Sequence, residues 1–239
     1  MLVLSLAYAL LLAPSGALRW EEIAKGVERR PLPELSGEVL RFDLERFRVD
    51  VEVPGPDGAR TAGALRKERG AAAVTNGGFF DERGRSLGLR IGQGRTLVKL
   101  RAHVDWGVLV VRGRRAVILH SRDYVPDPAI DAAVQVGPRL LVDGVPTRLK
   151  PQRARRTAVA LDRTGRYLTL VVTRDDAEAG ALARALAALE LDSALLLDGG
   201  PSTQLSARAG QLALDVPGGY AVPDLLLLLP RPAGALRSR

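Results

Sequence analysis

The stretch that decides the fold runs from Leu195 to Thr203 and reads LLLDGGPST, a short apolar run followed at once by a carboxylate and two glycines. Leucines in succession predict a buried strand, and Asp198 with Gly199 and Gly200 predicts a sharp turn at its end. The segment VTNGGFF, from Val74 to Phe80, repeats this pattern with Asn76 before the glycines. Either segment alone is typical of an Asx turn. The pair is as consistent with a site in which Asn76 and Asp198 project from the ends of two strands as with two separate Asx turns.

Outward from these segments the chain is rich in predicted strands. Hydrophobic alternation predicts strands within 38–53, hairpins over 108–119 and 157–173, and two short strands on either side of Gly137. The five leucines of 225–229 are too few to span a bilayer and predict a core strand.

The sequence predicts few helices. Asp175 and Glu178 have the spacing of a capping box for a helix that ends near Leu189, with Leu182 and Leu186 on its apolar face. Many strands and few helices indicate an α+β fold, with a strand-rich mixed or antiparallel sheet in a single domain.

The N-terminus is similar to a secretory leader. Residues 2–13 are apolar, and Ser15 and Ala17 fit the −3 and −1 positions of a cleavage site, although no Lys or Arg precedes the apolar run. We expect residues 1–17 to be a signal peptide, with an uncleaved N-terminal anchor as the alternative, and the protein to be exported to the periplasm or the exterior. The further divisions expected are a polar N-terminal segment (18–37), the main domain (38–230) and a disordered tail (231–239).

Composition excludes several chemistries. The chain of 239 residues has no cysteine and two histidines, which excludes disulfides, thiol nucleophiles and His-rich metal centres. The net charge of +8 suits an acidic partner. Arginines interleaved with acidic residues, without an aromatic-rich recognition motif, argue against nucleic acid as that partner.

A third segment, RARRTAVALD (153–162), opens a predicted strand with clustered arginines. Arg156 immediately precedes the alternation of Thr157, Val159 and Leu161, where its guanidinium fork suits a phosphate or a carboxylate. Arg153 and Arg155 are expected in a loop. The alternative is that the cluster is only a solvated run of charge.

Four segments in order, VTNGGFFD, GPRLLVDG, RRTAVALD and LLLDGGPSTQL, resemble the phosphodiester glycosidase family. Two positions depart from the family pattern, since Pro201 and Ala160 stand where glycine is common. The resemblance implies one cleft with catalytic Asp198, Arg156 and Asn76. The substrate-binding residues that it implies are Gly77, Gly78, Gly199, Gly200, Ser202 and Thr203.

The activity that the resemblance implies is hydrolysis of a sugar-1-phosphodiester of an envelope or exopolysaccharide glycan. Arg156 and glycine N–H groups would stabilise the departing phosphate, and Asp198 would act as base or as nucleophile. Asn76 would orient the sugar, and Ser202 or Thr203 would bind phosphate or sugar hydroxyls.

The motifs indicate no cofactor, although Asp81 and Asp198 could offer oxygens to a divalent cation. The partner expected is a phosphorylated or anionic glycan, with membrane contact only through the N-terminal segment. The alternative is a non-catalytic envelope module that binds anionic glycan or peptidoglycan in the same cleft.

Overall fold

The computed structural model describes residues 19–232 of the chain. These residues form twenty strands and two α-helices. The helices are α1 (Ala62–Arg69) and α2 (Ala179–Ala188). The strands are β1 (Glu21–Ala24), β2 (Val27–Arg30), β3 (Gly37–Asp43), β4 (Phe47–Glu52), β5 (Ala73–Asn76), β6 (Arg90–Gly92), β7 (Arg95–Val98), β8 (Gly107–Arg112), β9 (Arg115–His120), β10 (Ala132–Val136), β11 (Arg139–Val142), β12 (Val145–Pro146), β13 (Arg153–Ala154), β14 (Thr157–Leu161), β15 (Tyr167–Thr173), β16 (Ala177–Glu178), β17 (Ser193–Leu196), β18 (Leu205–Ala209), β19 (Leu212–Val216) and β20 (Leu225–Pro230).

The strands form four sheets. One has eight strands in the order β1-β2-β3-β15-β14-β17-β11-β12, two have five in the orders β7-β6-β10-β8-β9 and β19-β18-β5-β20-β4, and β13 pairs with β16. Neighbouring strands pair antiparallel throughout the described residues. The predicted α+β class is therefore confirmed, with antiparallel rather than mixed sheets.

The three larger sheets pack around one core. Leu170 of β15, Val134 of β10 and Leu226 of β20 belong to the same buried cluster. In the eight-stranded sheet, alternate residues of β14 and β17 point away from this core. Ala160 and Leu196 pack with α2 on the outer side of the eight-stranded sheet.

The leucine run of β20 is buried on both of its faces. Leu226 and Leu228 enter the central core, whereas Leu225, Leu227 and Leu229 pack in the cluster that includes α1 residues. A strand between two layers needs no polar face, because successive side chains point to opposite sides. Each buried leucine contributes about 1.5–3 kcal/mol, so this run anchors the sheet that carries β5.

Several sequence predictions meet their test here. The hairpins β8–β9 and β14–β15 and the core strand β20 are confirmed. The capping box is wrong: α2 has Glu178 at its N-cap with no side-chain hydrogen bond, and Asp175 is exposed in the preceding bend. The sequence analysis also did not predict α1, whose N-cap Thr61 accepts a hydrogen bond from Ala64 N.

The divisions of the chain expected from the sequence do not coincide with the edges of the eight-stranded sheet. Residues 18–37 include β1 and β2, which extend the eight-stranded sheet by pairing with β3. The start of the expected tail is attached, because Arg231 Nε donates to the carbonyls of Leu44 and Phe47. The leader and residues 233–239 lie outside the described residues. Between residues 19 and 232, neither helix has the length and hydropathy of a membrane span.

Candidate active site

The two Gly-Gly turns meet at the ends of β5 and β17. Asp198 N donates to Gly77 O over 3.1 Å, and Asn76 Nδ2 donates to Asp198 O over 2.8 Å. The other end of the Asn76 amide, Oδ1, accepts from Thr157 Oγ1 at 2.8 Å and from Gln204 N at 3.1 Å. Asn76 is 1% exposed, and its amide joins strand ends of two sheets. The role that the resemblance implies for Asn76 stays a prediction, and the structure adds that its amide is used within the protein.

The glycines after Asn76 are required by space and not by a left-handed backbone. A Cβ on Gly77 would lie 1.7 Å from Asp224 Oδ1, and one on Gly78 would lie 2.4 Å from Arg90 Nη2. Their N–H groups are also occupied, since Gly77 N donates to Asp224 O and Gly78 N donates to Asp224 Oδ1, both over 2.9 Å. These two N–H groups therefore do not point free donors at a phosphate.

Asp224 and Arg90 form an ion pair behind the turn, and both side chains are fully buried. Arg90 Nε lies 3.0 Å from Asp224 Oδ1, and Nη2 lies 3.3 Å from Oδ2, which also accepts from Ser86 Oγ. Arg90 Nη1 donates to backbone carbonyls, including Gln135 O at 2.9 Å. A buried pair with this many hydrogen bonds holds the Gly77–Gly78 turn rigidly.

Asp198 is the partly exposed carboxylate at the junction of the turns. Burial raises the pKa of Asp198, and the nearby negative charge of Asp224 acts in the same direction. Hydrogen bonds from the Ser202 hydroxyl and from Gly199 N, the latter 2.9 Å from Oδ1, oppose the rise. By contrast, the pKa of Asp81 is lowered by its Arg85 partner. The carboxyl of Asp198 is therefore suited to exchange a proton closer to neutral pH than an ordinary aspartate.

The remaining turn residues support Asp198 from within. Gly200 takes φ +59°, and its N–H donates to Arg155 O at 2.8 Å. Ser202 and Thr203 have no exposed surface, and Ser202 Oγ lies 3.1 Å from Tyr220 Oη. The Thr203 hydroxyl is buried without a hydrogen-bond partner among the described residues. Both hydroxyls are buried in this structure, and their expected binding role stays a prediction.

Arg156 lies beside the second turn, with its Cδ 4.0 Å from the position of a Cβ on Gly199. Nε donates to Ala177 O over 2.9 Å, and Nη2 donates to Gln152 O. Nη1 has no hydrogen-bond partner in residues 19–232, and the guanidinium forms no ion pair there. Arg156 is 6% exposed, and this burial lowers its pKa. The negative charge of Asp176 acts against this lowering without forming a direct ion pair, so a largely buried guanidinium with one nitrogen free favours an anion there.

Aromatic side chains border the site. Tyr220, which is 45% exposed, contacts Phe80 edge to face at 6.3 Å between ring centroids. Phe79 packs in the same manner against Trp106 at 5.2 Å. An exposed ring beside a carboxylate offers an apolar platform to the C–H face of a sugar.

The expectation of a shared cation site for Asp81 and Asp198 finds little support in the geometry. The Asp81 carboxylate accepts from Arg83 N, Arg85 N and Arg85 Nε, and so closes its own turn. Within residues 19–232, no group of three or more His, Asp or Glu side chains could hold a metal ion.

The candidate site thus combines a partly buried carboxyl group of raised pKa, an arginine fixed by backbone carbonyls and one exposed aromatic ring, that of Tyr220. A family model described as phosphodiester glycosidase matches residues 69–229, so the chain belongs to the phosphodiester glycosidase family, as its motifs predict. Members of this family are hydrolases that act on phosphodiester-linked sugars.

Solved structures show the same fold. The zebrafish N-acetylglucosamine-1-phosphodiester alpha-N-acetylglucosaminidase catalytic domain, auto-inhibited by its pro-peptide, is 18% identical, with a TM-score of 0.69 over 88% of this chain and 86% of that one. A protein from Synechocystis is 17% identical, with a TM-score of 0.59 over 86% of this chain and 62% of that one. A protein from Burkholderia pseudomallei K96243 is 15% identical, with a TM-score of 0.61 over 85% and 74%. No curated protein matches the chain.

Three residues of the site escaped the sequence analysis: Arg90, Tyr220 and Asp224. Each had a local signal, although a weak one. Asp224 directly precedes the leucine run, Arg90 interrupts an apolar stretch, and Tyr220 follows a Gly-Gly pair. A charge next to an apolar run can equally be a turn residue, and only the fold shows that Arg90 meets Asp224.

Proposed function

We propose that the protein hydrolyses sugar-1-phosphodiesters, with Asp198 as the general base. The observation that carries this proposal is the place of Asp198, a partly exposed carboxylate at the junction of the two Gly-Gly turns in a chain of the phosphodiester glycosidase family, where burial also raises its pKa. A base of raised pKa takes a proton from water more readily than an ordinary aspartate does, provided that it is ionised at the working pH.

The proposed step cleaves the bond between the anomeric carbon and the phosphate oxygen. Water attacks the anomeric carbon and gives its proton to the Asp198 carboxylate, while the electrons of the broken bond leave with the phosphate monoester. Because a phosphate monoester is a good leaving group, the step needs little general-acid assistance. Attack by water in one step predicts inversion at the anomeric carbon.

Arg156 is the residue that we assign to the phosphate. Its guanidinium is fixed by two carbonyls and keeps one nitrogen, Nη1, without a protein partner. An oxyanion at that nitrogen would supply the direct ion pair that the buried guanidinium does not form within the protein. Since the charge of the departing phosphate increases in the transition state, this contact would become stronger there.

Tyr220 is the residue that we assign to the sugar ring. It is exposed, it stands over Ser202, and Ser202 in turn donates to Asp198. A sugar stacked on this ring would have its anomeric carbon close to the carboxylate. The broader context, an exported protein acting on an envelope or exopolysaccharide glycan, rests on the leader-like N-terminus and on the basic net charge.

The test is release of free sugar from a panel of methyl diesters of sugar-1-phosphates. Asp198→Asn should lower kcat by about 100-fold or more, in line with the contribution of a general base. Asp192→Asn is the matched control, because Asp192 precedes the same strand at its opposite end and pairs with the exposed Arg163. Wild-type turnover that survives in Asp198→Asn would contradict the assignment of the base. Saturable glycan binding without turnover of any diester would instead favour the non-catalytic envelope module.

The stereochemistry gives an independent check of the role of Asp198. NMR of the first sugar released should show the anomer opposite to that of the substrate. Retention would identify Asp198 as a nucleophile and overturn its role as a base.

A further inference from the structure

A basic cleft of about 580 Å³ lies between residues 146–151 and the first turns of α2. Its cationic side chains are Arg148, Lys150 and Arg184, and all three residues are exposed. Residues 146–151 are tied to β11, because Thr147 N donates to Leu140 O and Thr147 Oγ1 donates to Arg139 O. The cleft therefore has one wall from a helix and one from a fixed loop.

The charges of this cleft are not balanced by the protein. Arg148, Lys150 and Arg184 form no ion pair with any residue in the described part of the chain. Glu178 is the acidic residue in the lining, and Asp175 and Asp176 precede it on an exposed bend. Within the lining itself, three cations face one carboxylate, so the cleft attracts anions.

The walls of the cleft are connected along the chain to the two residues that hold Arg156. Arg156 Nη2 donates to the carbonyl of Gln152, the residue after Pro151 in one wall. Arg156 Nε donates to the carbonyl of Ala177, the residue before Glu178 in the other wall. The two segments that fix the Arg156 guanidinium are thus the segments that lead into the walls of the basic cleft.

We propose that this cleft binds a second anionic group of the substrate, so that the substrate is a glycan polymer carrying phosphate on more than one of its sugars. The inference rests on the proposed function for the site at Asp198 and Arg156. A polymer lying along the surface would place its scissile diester at Arg156 and a neighbouring phosphate among Arg148, Lys150 and Arg184. A small diester would occupy only the first of these positions.

Binding can be tested without turnover by using inorganic polyphosphate and orthophosphate as probes. Calorimetry on the wild type should show polyphosphate binding at least about 10-fold more tightly than orthophosphate at equal phosphate concentration, with an affinity that falls steeply as salt is added. The double variant Lys150→Ala/Arg184→Ala should bind polyphosphate about 10-fold more weakly. Lys25→Ala is the matched control, because Lys25 is exposed in the β1–β2 turn at the opposite edge of the eight-stranded sheet.

Two binding results would overturn the proposal. One is an equal loss of affinity in Lys25→Ala, which would show general attraction of polyanions to a basic protein. The other is single-stranded DNA that binds the cleft as tightly as polyphosphate of the same charge, which would show that the cleft does not distinguish a phosphate polymer from nucleic acid.

Kinetics supply the second arm and separate this inference from the proposed function. On a phosphomannan with sugars joined through phosphodiesters, the double variant should have a KM raised about 10-fold, whereas its kcat and its turnover of a methyl diester should match the wild type. Loss of methyl diester turnover in the double variant would show that the cleft belongs to the primary site and would contradict the inference. If the wild type cleaves neither substrate, the proposed function fails, and the binding experiment still decides whether the cleft holds a phosphate polymer.

Discussion

Gly77→Ala should strongly destabilise the protein, because the new methyl group would occupy the space of a buried carboxylate. The Cβ would lie 1.7 Å from Asp224 Oδ1, whereas real Cβ contacts essentially never fall below 3.0 Å, so one of the two groups must move by more than 1 Å. Such a shift takes the Asp224 carboxylate out of hydrogen-bond range of Gly78 N and Arg90 Nε, which lie at 2.9 and 3.0 Å. Arg90 would then be a buried cation without its partner, at a cost of about 3–5 kcal/mol.

This magnitude is measurable by thermal or urea unfolding. A loss of 3–5 kcal/mol should lower Tm by roughly 6–20 °C in a chain of this size. Gly113→Ala is the matched control: Gly113 has φ +55° and no atom within 4 Å of a Cβ, so it should cost only the left-handed strain of about 1–2 kcal/mol. The double variant Gly77→Ala/Asp224→Ala should be less destabilised than the sum of its single variants, since the clash is gone. A Gly77→Ala protein as stable as Gly113→Ala would refute the reasoning.

Three further expectations follow from the site and its surroundings. Asp198→Asn should raise the stability of the protein at neutral pH by about 1.4 kcal/mol per unit by which the folded pKa exceeds the unfolded one. Because the pKa of Asp198 is raised in the folded protein, the wild type loses stability as pH rises through that pKa, whereas Asp198→Asn does not. Melting curves measured from about pH 3 to 8 should therefore show the variant to be more stable at neutral pH, with the difference disappearing at acid pH. Tyr220→Ala should raise KM for a sugar-1-phosphate methyl diester about 3- to 10-fold, because stacking on the ring is lost. Tyr220→Phe keeps the ring and should leave KM within about 2-fold of the wild type. Equal effects of the two variants in steady-state assays would contradict the role of the Tyr220 ring in sugar binding. Gly180→Ala in α2 has only Arg184 Nη1 near its Cβ, at 3.7 Å, and should stabilise the protein by about 0.5 kcal/mol in urea unfolding, with a loss of stability counting against this account of the helix.

Local pattern carried most of the fold. The hairpins β8–β9 and β14–β15 follow from alternation of apolar and polar residues, and the strand β20 follows from its run of leucines. Few conformations other than a strand would bury these side chains. The helix α1 was not predicted because only two of its eight residues, Ala62 and Leu65, are buried, so its periodic signal is weak. The N-cap of α2 was predicted wrongly because an acidic residue three positions before a glutamate can form a capping box or lie in an exposed bend. The local sequence does not distinguish these two cases.

For the site, the motifs predicted which strand ends meet, but not which of their polar groups are already bonded within the protein. Asn76 and the Gly77–Gly78 turn lie where the sequence predicts, yet their hydrogen-bonding groups are used inside the protein. Which groups remain free depends on partners distant in the chain, such as Asp224, and spacing alone does not contain that information.

By itself, the sequence determined the family, the high strand content and the position of Asp198 after an apolar strand, because these depend on residues adjacent in the chain. Only the tertiary structure decided that the glycines make room for the Arg90–Asp224 pair, that Arg156 keeps one free nitrogen, and that Tyr220 stands over Ser202. The reason is physical: burial and the pairing of charges bring together segments more than a hundred residues apart, such as Arg90 and Asp224. Burial is the largest influence on the pKa of Asp198, and local sequence does not show it.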